Sequence, residues 1–131
     1  MSEKNKEIID KIIEVGEDLK FDVRVKQGCN DKEYVEFTFS KYSPFGQDFS
    51  FDITTQINED DEPEDVLDTF IGNLDDFYES YDVSYETYLW LDEWGHGKNG
   101  APYDMRDLYN DFKACENYIE ELLDKVKGIE I

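Results

Sequence analysis

The sequence has no lysine or arginine between Tyr42 and Gly97, a stretch of 56 residues that contains sixteen acidic residues. The 131-residue chain has 34 acidic and 13 basic residues, and its formal net charge is −21. The flanking segments 1–41 and 98–131 contribute only −2 and −3, so the charge is regional. Such a field repels phosphate and attracts cations. We therefore expect a basic protein surface as the partner, and no direct binding to nucleic acid or membrane.

Cysteine and histidine are also scarce, and no apolar run approaches the length of a membrane span. Cys29 and Cys115 are far apart and lack metal or redox spacing. Cys115 falls on an apolar helical stripe, which predicts a buried free thiol. The charged N-terminal residues do not resemble a signal peptide. We expect a cytoplasmic protein.

The remaining composition is that of a folded domain. Hydrophobic residues make up 39% of the chain, and nine phenylalanines, nine tyrosines and two tryptophans exclude a disordered acidic tail. A chain of this length can bury one core but not two. We therefore predict a single domain over residues 1–131.

Hydrophobic spacing predicts an α+β fold. Apolar residues at helical spacing predict a first helix over about residues 3–18. The period then changes to two in three runs centred near Val23, Phe37 and Ile53, with turns at 28–31 and 43–46. The prediction is an N-terminal helix, a three-stranded antiparallel meander with one apolar face, then two or three helices packed on the sheet.

The second helix, predicted over about residues 64–81, has an apolar side and an anionic side. At 100° per residue, six carboxylates lie within an arc of about 120°; they are Asp65, Asp68, Asp75, Asp76, Glu79 and Asp82. The preceding loop extends this row with Glu59, Asp60, Asp61 and Glu62. A charged helix face is usually only solvated, but ordinary surfaces mix both signs, and this segment has no base.

A short aromatic helix or turn from Tyr85 to Trp94 follows, then a glycine-rich run, then a final helix over about residues 103–127 with Pro102 at its start. Large aromatic side chains fill gaps between helices, so we interpret this group as core packing, while any exposed member would be an anchor for a protein partner. The group comprises Tyr85, Tyr88, Trp90, Trp94 and Tyr103.

Two other chemistries fit the pattern poorly. On an EF-hand template the acidic loop places Pro63 at the glycine position and Thr69 at the bidentate glutamate position, so only a looser divalent-ion site is an alternative. Asp92, Glu93 and His96 could form an acid–base group, but no nucleophile motif, second histidine or zinc spacing accompanies them. We expect no enzymatic activity, cofactor or metal.

Several motifs carry a resemblance to a known group of proteins. They are the run 42–49 (YSPFGQDF), Trp90, the run 97–102 (GKNGAP), Arg106, Leu108 and Asp111. Over residues 42–127 the chain resembles small acidic proteins encoded on phages and integrative elements of gut Firmicutes, and these motifs look structural. The composition is similar to that of acidic DNA-mimic inhibitors of restriction and CRISPR systems. The resemblance implies a bacterial host cell and an anti-defence setting.

The hypothesis is that the protein inhibits a host-defence nuclease by occupying its basic channel for DNA or RNA. A CRISPR effector is the first choice and a restriction enzyme the second. The ten carboxylates of the helix and its loop would act as phosphate surrogates. The alternative is a non-inhibitory adaptor or accessory protein of a mobile element that binds a basic protein partner.

Overall fold

A computed structural model describes residues 2–29 and 33–131 and confirms the predicted α+β architecture. The elements are α1 (Glu3–Asp18), β1 (Asp22–Cys29), β2 (Glu33–Tyr42), β3 (Asp48–Ile57), α2 (Pro63–Ser80), α3 (Val83–Leu89) and α4 (Met105–Lys127). The three strands form one antiparallel sheet in the order β1-β2-β3. Residues 30 and 31 of the first predicted turn, 28–31, lie outside the described residues, and residues 28 and 29 belong to β1 and not to a turn.

The sheet has one buried and one exposed face, as the alternation predicts. Phe37 on the central strand pairs with Val25 of β1 and with Ile53 of β3. Its inward neighbours join α1, α2 and α4 in one hydrophobic core. The opposite face of β3 is exposed along Ser50, Asp52, Thr54 and Gln56. The fold is therefore a two-layer sandwich of helices on one side of a sheet.

The final helix and the aromatic segment differ from their predicted bounds. Asp104 caps α4, because its Oδ1 accepts a hydrogen bond from the Arg106 backbone N–H at 2.8 Å, so the helix begins at Met105 and not near 103. Pro102 therefore lies before the helix and not in its first turn. The aromatic segment forms a helix only over 83–89, with Asp82 as its N-cap.

Hydrogen bonds join several residues of the runs 42–49 and 97–102 to one another and to the buried carboxylate of Asp111. Asp111 on α4 accepts hydrogen bonds from the Ser43 hydroxyl at 2.7 Å and from the Phe45 backbone N–H at 3.1 Å. Gln47 then donates through its side-chain amide to the Gly100 carbonyl at 2.9 Å. This network ties the β2–β3 turn to α4 and to the glycine-rich run. The residues in this network therefore have a structural role.

Cys115 is a free, buried thiol on α4, which confirms its predicted position on the apolar stripe. Burial raises the pKa of this thiol to about 12, because the charged thiolate would lose its hydration. The side chain is thus an apolar core group.

Thr55 offers a direct test of the core packing. It lies between Ile53 and Ile57 on the inward face of β3, is 1% exposed, and its hydroxyl has no hydrogen-bond partner. We predict that Thr55→Val raises the free energy of unfolding by about 1–2 kcal/mol, because an unpaired buried hydroxyl is destabilising. Urea denaturation measures this change.

Thr54→Val is the matched control, because Thr54 is the adjacent exposed residue on the same strand. Its effect is expected to stay within about 0.5 kcal/mol. A Thr55→Val variant that is less stable than the parent would contradict the assignment of Thr55 as an unsatisfied core residue.

Candidate functional site

The orientation of α2 is fixed by aromatic packing against the sheet. The Phe70 ring meets that of Phe37 edge-on, with centroids 5.0 Å apart, and the Phe77 ring stacks on Phe51 at 4.8 Å. The Asn73 side chain also donates to the Thr54 carbonyl at 2.8 Å. With this side of the helix held on the sheet, the opposite side faces solvent.

Nine of the ten predicted carboxylates occupy that outward side and the loop before it, and Asp82 follows the helix. We call all ten the acidic track. Eight of the ten are exposed, and Asp61 and Asp75 are partly buried. The track comprises Glu59, Asp60, Asp61, Glu62, Asp65, Asp68, Asp75, Asp76, Glu79 and Asp82. The prediction placed Asp82 on the anionic side of this helix, but the residue lies outside α2, because the helix ends at Ser80. Its carboxylate instead caps α3 by accepting a hydrogen bond from the Tyr85 N–H at 3.1 Å.

Some carboxylates of the acidic track hold its backbone in place. Asp61 accepts from the Asn58 N–H at 2.7 Å, and Asp65 accepts from the Glu62 N–H at 2.9 Å. The second bond belongs to a capping box that starts α2. The Asp61 carbonyl also accepts from the side-chain amide of Asn5, at the start of α1. The loop that leads into α2 is thus tied to the rest of the molecule.

The other carboxylates of the acidic track are available to a partner. In the part of the chain that the structure describes, six of them accept no hydrogen bond and form no ion pair. They are Glu59, Asp60, Asp68, Asp75, Asp76 and Glu79. The described part of the chain contains three ion pairs, and they lie within α1, within β1 and within α4. Cations from outside the chain are therefore the natural counterions of the acidic track.

The spacing of the carboxylates is comparable to that of nucleic-acid phosphates. From Asp65 to Glu79 the helix rises about 21 Å, which gives roughly one carboxylate per 4–5 Å of axis. A single strand of duplex DNA presents one phosphate per about 3.4 Å. The array is close to that density, but it has a gap at its centre. Gly72 lies there, exposed, and a Cβ added to it would meet no atom outside its own helix within 4 Å.

The alternatives of a metal site and an acid–base site gain no support from the geometry. Among residues 2–29 and 33–131 no three His, Cys, Asp or Glu side chains are grouped so that they could hold a metal ion. Asp92 accepts from the backbone N–H groups of His96 at 2.9 Å and Trp94 at 2.8 Å, and these bonds, that from His96 foremost, lower its pKa. The His96 ring stacks on Tyr103 at 4.0 Å. The Asp92 carboxylate and the backbone and ring of His96 thus hold the loop in its conformation.

The interpretation of the aromatic group as core packing was wrong. Tyr85, Tyr88, Trp94 and Tyr103 are between 58% and 76% exposed, and Trp90 is partly buried. Leu89, Met105 and Tyr109 are exposed in the same region. Tyr85, Tyr88 and Leu89 have the i, i+3, i+4 spacing of a buried stripe, but α3 buries Val83 and Thr87 instead. Periodicity alone does not say which of two stripes is inside.

Comparisons with protein-family models, with curated proteins and with solved structures find no match to this chain. The acidic track is therefore interpreted from its own charge and geometry. No helix in the described part of the chain is long and apolar enough to cross a membrane.

The gap at Gly72 gives a test of how closely the carboxylates are held. We predict that Gly72→Ala stabilises the protein by about 0.5–1 kcal/mol, because alanine is the better helix former. Gly72→Glu should stabilise less at low salt, since residue 72 is one turn from Asp68, Asp75 and Asp76. High salt should reduce the difference in stability between the two variants, because it screens the repulsion between the new glutamate and the neighbouring aspartates.

Thermal denaturation of both variants at low and high salt measures the effect. Helix propensity differs between alanine and glutamate at any salt concentration, so only the salt-dependent part reports the carboxylates. Equal salt responses of the two variants would show that the neighbouring carboxylates do not lie close to position 72.

Proposed function

We propose that the protein is a nucleic-acid mimic that inhibits a host-defence nuclease by occupying its basic DNA- or RNA-binding channel. A CRISPR effector is the favoured target and a restriction enzyme the second. The acidic track supplies the phosphate surrogates. The resemblance to small acidic proteins of phages and integrative elements supports the choice of a defence enzyme as the target.

The observation that best supports this function is that the exposed carboxylates belong to a segment, 42–97, whose sequence contains no Lys or Arg. Asp68, Asp75, Asp76 and Glu79 lie on one side of a helix whose other side is anchored by Phe70, Phe77 and Asn73. The side chains are therefore presented together and do not have to be gathered when a partner binds, which lowers the entropic cost of association.

The mimic does not need to reproduce bases. Much of the affinity of proteins for nucleic acids comes from Lys and Arg contacts to phosphate, which are independent of sequence. When the acidic track enters a channel lined with these cations, its carboxylates would replace the small anions bound there, and these anions would be released into solution. The target's affinity for the protein should then fall as salt rises, in the same manner as its affinity for DNA.

The function predicts a specific effect of charge reversal. A triple variant with Asp68→Lys, Asp75→Lys and Asp76→Lys should inhibit on the order of 100-fold more weakly. The slope of log affinity against log salt concentration should also become shallower by about three, one for each lost contact. The assay measures binding of a labelled DNA duplex to a guide-loaded CRISPR effector and to a restriction endonuclease, with the protein as competitor.

The control variant carries Asp10→Lys, Glu14→Lys and Glu17→Lys, three exposed acids of α1. It changes the net charge by the same amount but leaves the acidic track intact, so inhibition should persist. Equal loss in both variants would mean that net charge and not the track is responsible. Full inhibition by the track variant, or no inhibition of either nuclease by the parent, would contradict the proposal.

An adaptor that binds a basic protein without blocking nucleic acid is the second candidate. The observation that favours it is the exposure of Tyr88 and Trp94, since a pure phosphate mimic has no use for large exposed aromatic groups. The two functions differ in one result. A complex of an adaptor with its target still binds DNA, whereas a complex of the mimic does not.

A further inference from the structure

A concave groove lies between α3 and α4, and its lining residues come from segments 84–91 and 104–109 and not from α2. Its volume is about 480 Å³, and its lining includes Thr87, Tyr88, Leu91, Met105 and Tyr109. Four exposed side chains continue the apolar surface beside it. We call the whole the aromatic patch; its exposed members are Tyr85, Tyr88, Leu89, Trp94, Tyr103, Met105 and Tyr109.

The aromatic patch is not needed to build the core. None of its members belongs to the hydrophobic core or packs against it. Aromatic side chains bury about 150–250 Å² each, so seven large residues at this exposure present on the order of several hundred Å². That area approaches one partner's share of an ordinary protein interface, about 800 Å². Exposed apolar surface of this size marks an interaction site.

The patch is also held rigid. The segment from Trp90 to Tyr103 is closed by backbone bonds from Lys98 to Trp90 and from Gly97 to Tyr103, each 3.0 Å long. Asp92 adds the two bonds to the loop described above. Gly97 cannot carry a side chain, because a Cβ would lie 1.8 Å from the Pro102 carbonyl oxygen. A preformed surface avoids the cost of ordering a loop on binding.

The surrounding charges define what the patch can bind. Asp104 and Arg106 are the two charged residues that line the groove, and they offset each other, so the groove itself selects apolar groups. The rest of segment 82–109 contains five acids and one lysine. A second copy of this chain would bring the same excess of negative charge to the contact, and a basic partner would neutralise it.

We propose that the aromatic patch is a second docking surface, which takes a large apolar side chain flanked by Lys or Arg on a basic protein partner. The patch would act as the apolar centre of an interface, where Tyr and Trp carry most binding energy. The inference goes beyond the proposed function, since the groove does not depend on what the acidic track binds.

The test selects peptides from a random library displayed on phage, with the full chain as bait. Selected sequences should share a large apolar residue with Lys or Arg on either side. A synthetic peptide of that consensus should bind the parent and lose about tenfold or more in affinity to a Tyr88→Ala, Met105→Ala variant. Both residues are more than half exposed, so the variant should fold, which circular dichroism checks.

The control variant is Tyr42→Ala, Phe45→Ala, which removes two similarly exposed aromatic groups, one at the end of β2 and one in the β2–β3 turn. It should bind the peptide as the parent does. Equal loss in this variant, a consensus without an apolar residue, or no enrichment at all would overturn the proposal. So would a dimer of the free chain that Tyr88→Ala dissociates, because the occupant would then be a second copy.

The charge-reversal variant described above, with Lys at positions 68, 75 and 76 of α2, separates this proposal from the proposed function. This variant should retain most of the parent's affinity for the peptide. Any difference in affinity between the variant and the parent should disappear at high salt, because salt screens the attraction between the acidic track and the basic peptide. If nuclease inhibition fails but peptide binding holds, only the phosphate-mimic proposal is wrong. If the peptide binds the α2 face instead, with the patch variant unaffected, the docking proposal is wrong and the mimic proposal stands.

Discussion

The packing of α2 on the sheet is the constraint on which the rest of the molecule depends. Phe70 and Phe77 each meet an aromatic ring of the sheet, and this contact sets the rotation of the helix about its axis. Rotation by half a turn would bury Asp68 and Asp75 and expose the apolar side, at the cost of desolvating charges. The same interaction therefore stabilises the fold and directs the carboxylates of the acidic track into solvent.

The fold was predictable where one periodicity dominated. The strands around Phe37 and Ile53 and the helix α2 each have a single apolar side. Which of their residues are buried therefore follows directly from the sequence. The predicted start of α4 near residue 103 was too early, because the side chain of Asp104 caps the helix and Pro102 lies before its first turn. The network of Asp111 with Ser43 was outside the reach of pattern analysis, since it joins residues 68 positions apart.

The exposure of most carboxylates of the acidic track follows from their helical spacing, but the roles of the individual carboxylates do not. Spacing places Asp65 and Asp76 on the same side of a helix, yet it does not show that Asp65 completes a capping box while Asp76 is free of hydrogen bonds. The aromatic patch was missed because α3 has two stripes of helical spacing and buries the one with smaller side chains. A short helix that packs on a single neighbour can leave its larger residues exposed.

A helix with so many like charges must be kept ordered by contacts elsewhere, and α2 has them. Amide hydrogen exchange measures this most directly. If the acidic track is a rigid array, the amides of residues 67–79 exchange slowly at low salt, with protection similar to that of the buried turns of α4. Exchange of these amides at the rate of an unfolded peptide, while α4 stays protected, would contradict the account.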